Sequence, residues 1–561
     1  MTITPPPAAP LFNRPATALS LDRRTLFRAG VLGVGLAALP LSAAASTMRG
    51  FTHGVASGEP GAAQVLLWTR FVGYGPVTLR YEVSEAADFA KIISGGEVLA
   101  SPDRDGCVKP VATGLEPDRW YYFRFIAPDG AMSDIGRTRT LPAGDTARFR
   151  LAVVGCSNFG FGWFNAYAHI AETDQTDLVI HTGDYIYEYG AGTYPTAKEA
   201  MPGRVLDPQT EIVALADYRR RYATYRSDPD LQRLHQIFPM IAVPDDHESA
   251  NDSYRDGAEN HDPATEGSWD VRKRAAMQAY REWLPVSDEP WAKYDLGQLA
   301  TIFRLETRLT GRSKPFDLAE IVKGAESDPA RLTAALEAFR DGGWRDPARG
   351  LMGDAQEAWL YAGLKQSRSA GKVWQVLAQQ VVMSNMTLSL PVTEAVLSTL
   401  PDYIRGRLKV ALATNEAGLP FNMDAWDGYP AARERLLAAA QEAGANLVVL
   451  AGDSHNGWAS NLDNQGAAAG IEFAGHSVAS PGAEAYLPWI KPQDLAAQQV
   501  ANNRQLQWAD TGQRGYMAVE LTPARATTDY HFLQGIRTRS TALAGSKRIT
   551  SDAGSQKLDL G

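Results

Sequence analysis

Four short stretches of this chain end in side chains that bind metals. Leu151-Ala-Val-Val-Gly155 runs into Cys156-Ser-Asn, and Asp177-Leu-Val-Ile-His-Thr-Gly183 runs into Asp184-Tyr-Ile-Tyr187. Ile241-Ala-Val-Pro runs into Asp245-Asp246-His247-Glu248, and Asn446-Leu-Val-Val-Leu-Ala-Gly452 runs into Asp453-Ser-His455. Short apolar runs of this kind read as buried strands. Donors at the ends of several buried strands converge on one edge of a sheet, where open α/β sheets place their chemistry. The pattern predicts a multi-metal hydrolase acting on phosphate esters, because clustered cations neutralise phosphate and acidify water.

The donor types narrow the metals. Asp184, after a glycine at a strand end, can bridge two cations with its two oxygens. Tyr187 lies three residues on, where a turn brings its phenol to the same centre. Phenolate and the Cys156 thiolate together favour Fe³⁺. Each residue also has a blander reading: Cys156 as a small buried apolar residue, Tyr187 as a half-buried loop aromatic. From the Asp245–Glu248 run one carboxylate can reach a metal while His247 faces substrate. The alternative there is an acidic turn capping a helix. Asp453 and His455 stand on one side of an extended segment, so one can ligate each of two metals. The oxygen-rich remainder suits Ca²⁺. Of the 9 histidines, His181 reads as core, and His476 is the best of those left over.

These donors need a frame. A chain of 561 residues exceeds one ordinary domain. Residues 46–143 read as short strands between Gly, Pro and Asp turns, a small all-β sandwich of the immunoglobulin or fibronectin kind. From 144 to 540 strands alternate with amphipathic stretches such as Val271-Arg-Lys-Arg-Ala-Ala-Met, which predicts an α/β domain. Phe316–Arg349 reads as an insertion over the core, and 541–561 as a polar, mobile tail. The charged content of 21% and net charge of −9 fit a soluble enzyme and give nucleic-acid binding no support. With only 2 cysteines, Cys107 and Cys156, a disulfide framework is excluded.

Residues 1–45 read as an address. Arg23-Arg24 precedes Leu26 and Phe27, and Ala29 to Ala45 carries no charge and ends in small residues. This matches a twin-arginine export signal, removed from the mature protein. It implies the export machinery as a partner and a periplasmic or secreted destination. It suits a cofactor loaded before export, and no transmembrane span is expected in the mature chain.

The four motifs, with Tyr225-Arg-Ser-Asp-Pro-Asp-Leu, Trp374-Gln-Val-Leu-Ala-Gln-Gln380 and Phe473 through Ser480-Pro-Gly, resemble the alkaline phosphatase D (PhoD-like) family. The resemblance spans nearly all of the mature chain. It implies a calcineurin-like metallophosphoesterase core: four layers, with two mixed sheets between helices, preceded by a β domain. It implies a secreted phosphoric ester hydrolase with Fe³⁺ and Ca²⁺. Carried over, Cys156, Asp184, Tyr187 and His455 are iron ligands, with Asp184 bridging. Asp453 serves calcium, and the second calcium position falls to Asp246 or, in its place, to Asn251 or Asp252. His247 and Arg272 are the groups expected to meet phosphate, with Arg274 second to Arg272. Phosphomonoesters are the expected substrates. Phosphodiesters are the alternative, and a non-catalytic phosphate- or glycan-binding module is the reading from another class. Val243-Pro244 before Asp245 departs from the aromatic often found there, and Met201–Ala214 and the Phe316 insertion have no clear match, which leaves substrate choice open.

Overall fold

A computed structural model describes residues 49–390, 402–420 and 422–561. The export signal expected at residues 1–45 lies outside them. No helix among the described residues is long and apolar enough to cross a membrane.

The first part of the chain forms β1 (Gly50–Gly58), β2 (Gln64–Val72), β3 (Val77–Ser84), β4 (Ser94–Ala100), β5 (Cys107–Val108), β6 (Val111–Thr113), β7 (Trp120–Ile126) and β8 (Gly136–Arg139). In β7 buried and half-exposed residues alternate, the signature of a sheet covered on one face. The sheet β4-β3-β7-β8 packs on β1 and β2 around Val55, Leu67, Leu79, Val83, Tyr121 and Phe123. The Tyr121 hydroxyl accepts the Glu116 N–H at 2.8 Å and pins the Leu115-Glu-Pro turn.

The rest supplies β9 (Phe149–Val154), β10 (Leu178–His181), β11 (Pro239–Ala242), β12 (Ala292–Leu296), β13 (Ala300–Arg304), β14 (Trp374–Ala378) and β15 (Leu447–Ala451). There follow β16 (Gly457–Asn464), β17 (Ala467–Ala474), β18 (Leu506–Asp510), β19 (Arg514–Leu521), β20 (Arg525–Leu533) and β21 (Leu543–Asp552). One sheet runs β21-β20-β19-β9-β10-β11-β1-β2-β5, with β6 beside β2. The other runs β12-β13-β14-β15-β17-β16-β18. The N-terminal sandwich therefore shares a sheet with the rest of the fold. β1 lies parallel to β11, with Ser57 opposite Pro239.

The two large sheets stack face to face through Leu151, Val153, Ile180, Ile241 and Met517 on one and Ile302, Val376, Val448, Leu450 and Phe473 on the other. Helices cover both outer faces. Val154, Val179 and Met240 meet the helices Asn165–Thr173, Leu215–Arg226 and Trp269–Trp283. Phe303, Leu377 and Val449 meet Asp354–Ser369 and Pro430–Glu442. The result is the four-layer α/β architecture. It explains why β10, β11, β14 and β15 are apolar without alternation: both of their faces are buried. β9, β10 and β11 run parallel, and Val154, His181 and Ala242 stand side by side near their ends. The loops that follow must emerge together.

One expectation changes. Residues 541–561 are not a loose tail: β21 pairs antiparallel with β20 along its length. Ile549 is buried between the sheets, and Leu558 and Leu560 pack against the same core. Sparse apolar residues on a long edge strand hid it, since only one face needed covering. The Phe316–Arg349 segment forms the helix Pro329–Asp341, which packs through Leu332, Leu336 and Phe339 onto Leu419 and Met423.

Candidate metal centre

Glycines let the strand ends converge. Gly155, Gly183 and Gly452 precede Cys156, Asp184 and Asp453. A Cβ on Gly155 or Gly452 would lie 2.5 or 2.4 Å from Thr182 Oγ1, and one on Gly183 would lie 2.3 Å from Asp245 Cβ. No side chain fits at these three crossings. The donors just after them hold positive φ: Cys156 at 56°, Asp184 at 55°, Asp453 at 59° and His455 at 60°. Such backbone is costly for a non-glycine residue and is characteristic of functional sites. Glu248 ties two of the loops together by accepting the N–H groups of Asp184 at 3.2 Å, Tyr185 at 2.5 Å and Asp245 at 2.7 Å.

Three groups of donors result, each with ligand atoms within 4.8 Å of one another: Cys156, Asp184 and His455; Asp184, Asp246 and His247; Asp245, Asp246 and Asp453. Asp184 is common to the first two, and Asp246 to the last two. Tyr187 joins the first. Its hydroxyl donates to Asp184 Oδ2 at 2.8 Å and lies 3.2 Å from His455 Nε2 and 2.7 Å from Ser480 Oγ. His455 Nδ1 donates to the Pro481 carbonyl at 2.7 Å, so Nε2 carries the free lone pair a metal needs.

The donor set fits cations. Asp184 Oδ1, Asp245 Oδ2 and Asp246 Oδ1 are buried and have no hydrogen-bond partner in the protein. Orphaned buried carboxylate oxygens are costly unless a cation takes them. Burial, reinforced by neighbouring carboxylates, pushes Asp184 and Asp245 well above the usual range. Burial likewise lifts Asp453 to about 7, with Asp424 adding to the rise. It pushes the Cys156 thiol and the Tyr187 phenol up, and His455 down to about 3. These are the protein's own terms. A bound cation reverses them for anionic donors, and a neutral His455 is already the ligating form.

His247 differs. Burial opposes its protonation, but Asp246, Glu188 and Asp184 outweigh burial and hold its pKa well above the ordinary imidazole value. Its Nδ1 donates to Glu188 Oε2 at 2.7 Å. Its ring lies 4.2 Å, centroid to centroid, from that of Tyr187.

Not every expected residue reaches the cluster. The Asn251 side chain donates to Glu259 at 3.3 Å, and only its backbone N–H serves the site, at 2.8 Å from Glu188 Oε1. The turn after Asp246 points the amide outward; Asp252 instead returns, its N–H 2.7 Å from Asp246 Oδ2. Arg272 is buried, but its guanidinium is committed to Glu266 at 2.6 Å, Glu211 at 2.8 Å and the Tyr218 hydroxyl at 3.1 Å. It stands behind the site: Asn260 Nδ2 bridges Glu211 and Glu188, and Glu188 holds His247.

The arginine inside the cluster is Arg308, which sequence reasoning missed. It is fully buried and reaches Asp245 and Asp424 at 2.5 Å each, Asp453 at 3.3 Å and Asp246 at 3.7 Å. The available signal was weaker than for the other motifs: β13, Ala300-Thr-Ile-Phe-Arg304, already carries a charge before it runs on through Leu305 into Glu306-Thr307-Arg308. Asp245 was overlooked beside Asp246, though both carboxylates face inward.

The PhoD-like phosphatase family matches residues 151–530, and its N-terminal domain matches residues 37–142. Alkaline phosphatase D of Bacillus subtilis (strain 168) is 32% identical over 521 residues, covering 88% of this chain and 79% of the relative. A solved structure described as "Structure of PhoD" superposes with a TM-score of 0.74 at 28% identity, covering 91% of this chain and 92% of that one. With matching domains, matching fold and strand ends that gather a metal-binding donor set, the chain belongs to the PhoD-like phosphatase family and is a phosphoric ester hydrolase.

Proposed function

We propose that this chain is an exported alkaline phosphatase that uses Fe³⁺ and Ca²⁺ to release phosphate from monoesters. The observation that carries the reading is the asymmetry about Asp184. On one side stand a thiol, a phenol and an imidazole; on the other stand carboxylates. Cys156, Tyr187 and His455 would hold Fe³⁺ with Asp184 between the metals. Asp245, Asp246 and Asp453 would offer Ca²⁺ the hard oxygens it prefers. Bound there, the metals supply positive charge for the phosphoryl group and acidify water for in-line attack.

The protein's own residues supply orientation and a proton. Glu188 engages Nδ1 of His247 and leaves Nε2 as the ring atom that would donate to a substrate oxygen. Glu188 is itself fixed by the Asn251 N–H and the Asn260 amide, each at 2.8 Å. Arg308 spans four carboxylates and offsets their mutual repulsion.

Residues 1–45 would direct export by the twin-arginine route to the periplasm or beyond. Changing Arg23 and Arg24 together to lysine should leave full-length precursor in the cytoplasm. The hydrolase reading is tested by turnover of matched aryl phosphate monoesters and diesters, with metal content measured on the same sample. Faster monoester cleavage supports it. Faster diester cleavage would replace phosphatase with phosphodiesterase.

A further inference from the structure

Three tyrosines lead from the metal centre to the surface. Tyr189 lies 5.4 Å from His247, ring to ring. Tyr194 lies 5.7 Å from Tyr189 and 5.8 Å from Tyr187. Tyr486 reaches the Tyr194 hydroxyl at 3.2 Å and is 60% exposed. Tyr189 and Tyr194 come from the loop after Tyr187, and Tyr486 from the short helix Ala483–Tyr486 after Ser480; both segments are tied to the candidate donors. Ser480 Oγ meets the Tyr187 hydroxyl, and the Pro481 carbonyl holds His455. Phe161 backs Tyr194 edge-on at 4.8 Å, and an ion pair from Arg514 to Glu484 anchors the second segment two residues before Tyr486.

Packing alone does not account for this arrangement. Tyr486, left 60% exposed at the outer end of this row, contributes little to the core. Rigid aromatic side chains offer flat faces at low entropic cost, and stacked or edge-on ring pairs gain beyond the area they bury. The wall starts at the donor cluster itself, through the ring contacts of Tyr194 with Tyr187 and of Tyr189 with His247.

We propose that Tyr189, Tyr194 and Tyr486 form a subsite for a planar, aromatic substituent of the phosphate ester. This rests on the hydrolase reading above and adds a substrate class to it: esters whose alcohol carries a flat ring, in preference to saturated alkyl or polyol esters.

The test uses the metal-loaded enzyme and two esters with alcohols of near-equal acidity, 2-phenylethyl phosphate and 2-cyclohexylethyl phosphate. They match in bulk and differ in planarity. The phenyl ester should show kcat/KM about fivefold higher. Tyr486→Leu should bring the ratio close to one. Tyr486→Phe should keep it, and Tyr74→Leu, on a residue 93% exposed in the N-terminal sandwich, should not change it. The dissociation constants of 2-phenylethylphosphonate and 2-cyclohexylethylphosphonate read the same preference without turnover. Preferential binding of the phenyl phosphonate with no hydrolysis of either ester would overturn the hydrolase reading and support the subsite. Equal kcat/KM and equal dissociation constants in the unaltered protein, or a preference that survives Tyr486→Leu, would overturn the subsite.

Discussion

Gly183 and Asp245 touch where two strand ends cross: a Cβ at Gly183, whose φ is +107°, would sit 2.3 Å from the Asp245 Cβ. The glycine before Asp184, the residue two donor groups share, is thus a spacing device between neighbouring loops of the cluster. Gly183→Ala should push the Asp184 and Asp245 loops apart. Backbone strain of about 1–3 kcal/mol is expected from the φ alone, with the clash in addition. The measurable result is a lower Tm together with loss of bound metal and at least a hundredfold loss of kcat/KM. Unchanged metal content would show that the crossing does not set the ligand spacing.

His247 and the donors proposed for iron are expected to have separable roles. His247→Gln should lower kcat by about 10²–10⁴, the range for losing a positioned proton donor, while metal content stays at the wild-type level. If that variant loses a metal equivalent instead, His247 is a ligand through its proximity to Asp184 and Asp246.

Tyr187→Phe and Cys156→Ala address the iron side. A ferric ion bound to phenolate and thiolate absorbs visible light by charge transfer. Each variant should shift or remove that absorption and deplete iron, with calcium binding retained. Colour and iron retained in both variants would remove these two residues from the ligand set.

Arg308 is a counter-ion for four carboxylates. In metal-stripped protein, Arg308→Met should cost about 3–5 kcal/mol, the usual consequence of removing one partner from a buried ion pair. Saturating calcium should recover part of that loss. Denaturant unfolding at neutral pH reads it, and a change below about 1 kcal/mol would show the cluster does not depend on the guanidinium.

His181 gives the fold an acid limit. Its Nδ1 accepts the Gly183 N–H at 3.3 Å and its Nε2 donates to the Tyr167 hydroxyl at 3.0 Å, so both nitrogens are used by the neutral ring. Burial drives its pKa from 6.5 down to about 3. Between those values the unfolded chain holds a proton that the folded chain refuses, so stability is full above pH 6.5 and falls as pH drops towards 3. Stability measured against pH should fall less steeply over this window in His181→Asn, whose side-chain oxygen can replace Nδ1. An identical slope would refute the assignment.

The strand ends and their donors were legible because burial on both faces makes β9, β10, β11 and β15 read as unbroken apolar runs. The donors then stand out as abrupt polar endings. What stayed hidden depends on where side chains turn after the strand stops. Asn251 and Asp252 are adjacent, yet only Asp252 presents its N–H to Asp246 Oδ2. Arg272 and Arg308 both carry a guanidinium near an acidic motif. Only the pairing of β13 with β14 places Arg308 beside Asp453, from a strand 145 residues away. β21 was hidden for a different reason: an edge strand with one covered face needs few apolar residues.

The central claim is that the strand-end cluster is a metal centre that hydrolyses phosphate esters. Its most direct test is turnover of an aryl phosphate monoester by the purified mature protein, before and after exhaustive chelation and again after calcium and ferric iron are returned. Activity that disappears with the metals and comes back with them is the predicted result. Turnover that persists in protein shown to be free of metal, or absence of turnover of both the monoester and its matched diester with iron and calcium fully bound, would contradict it.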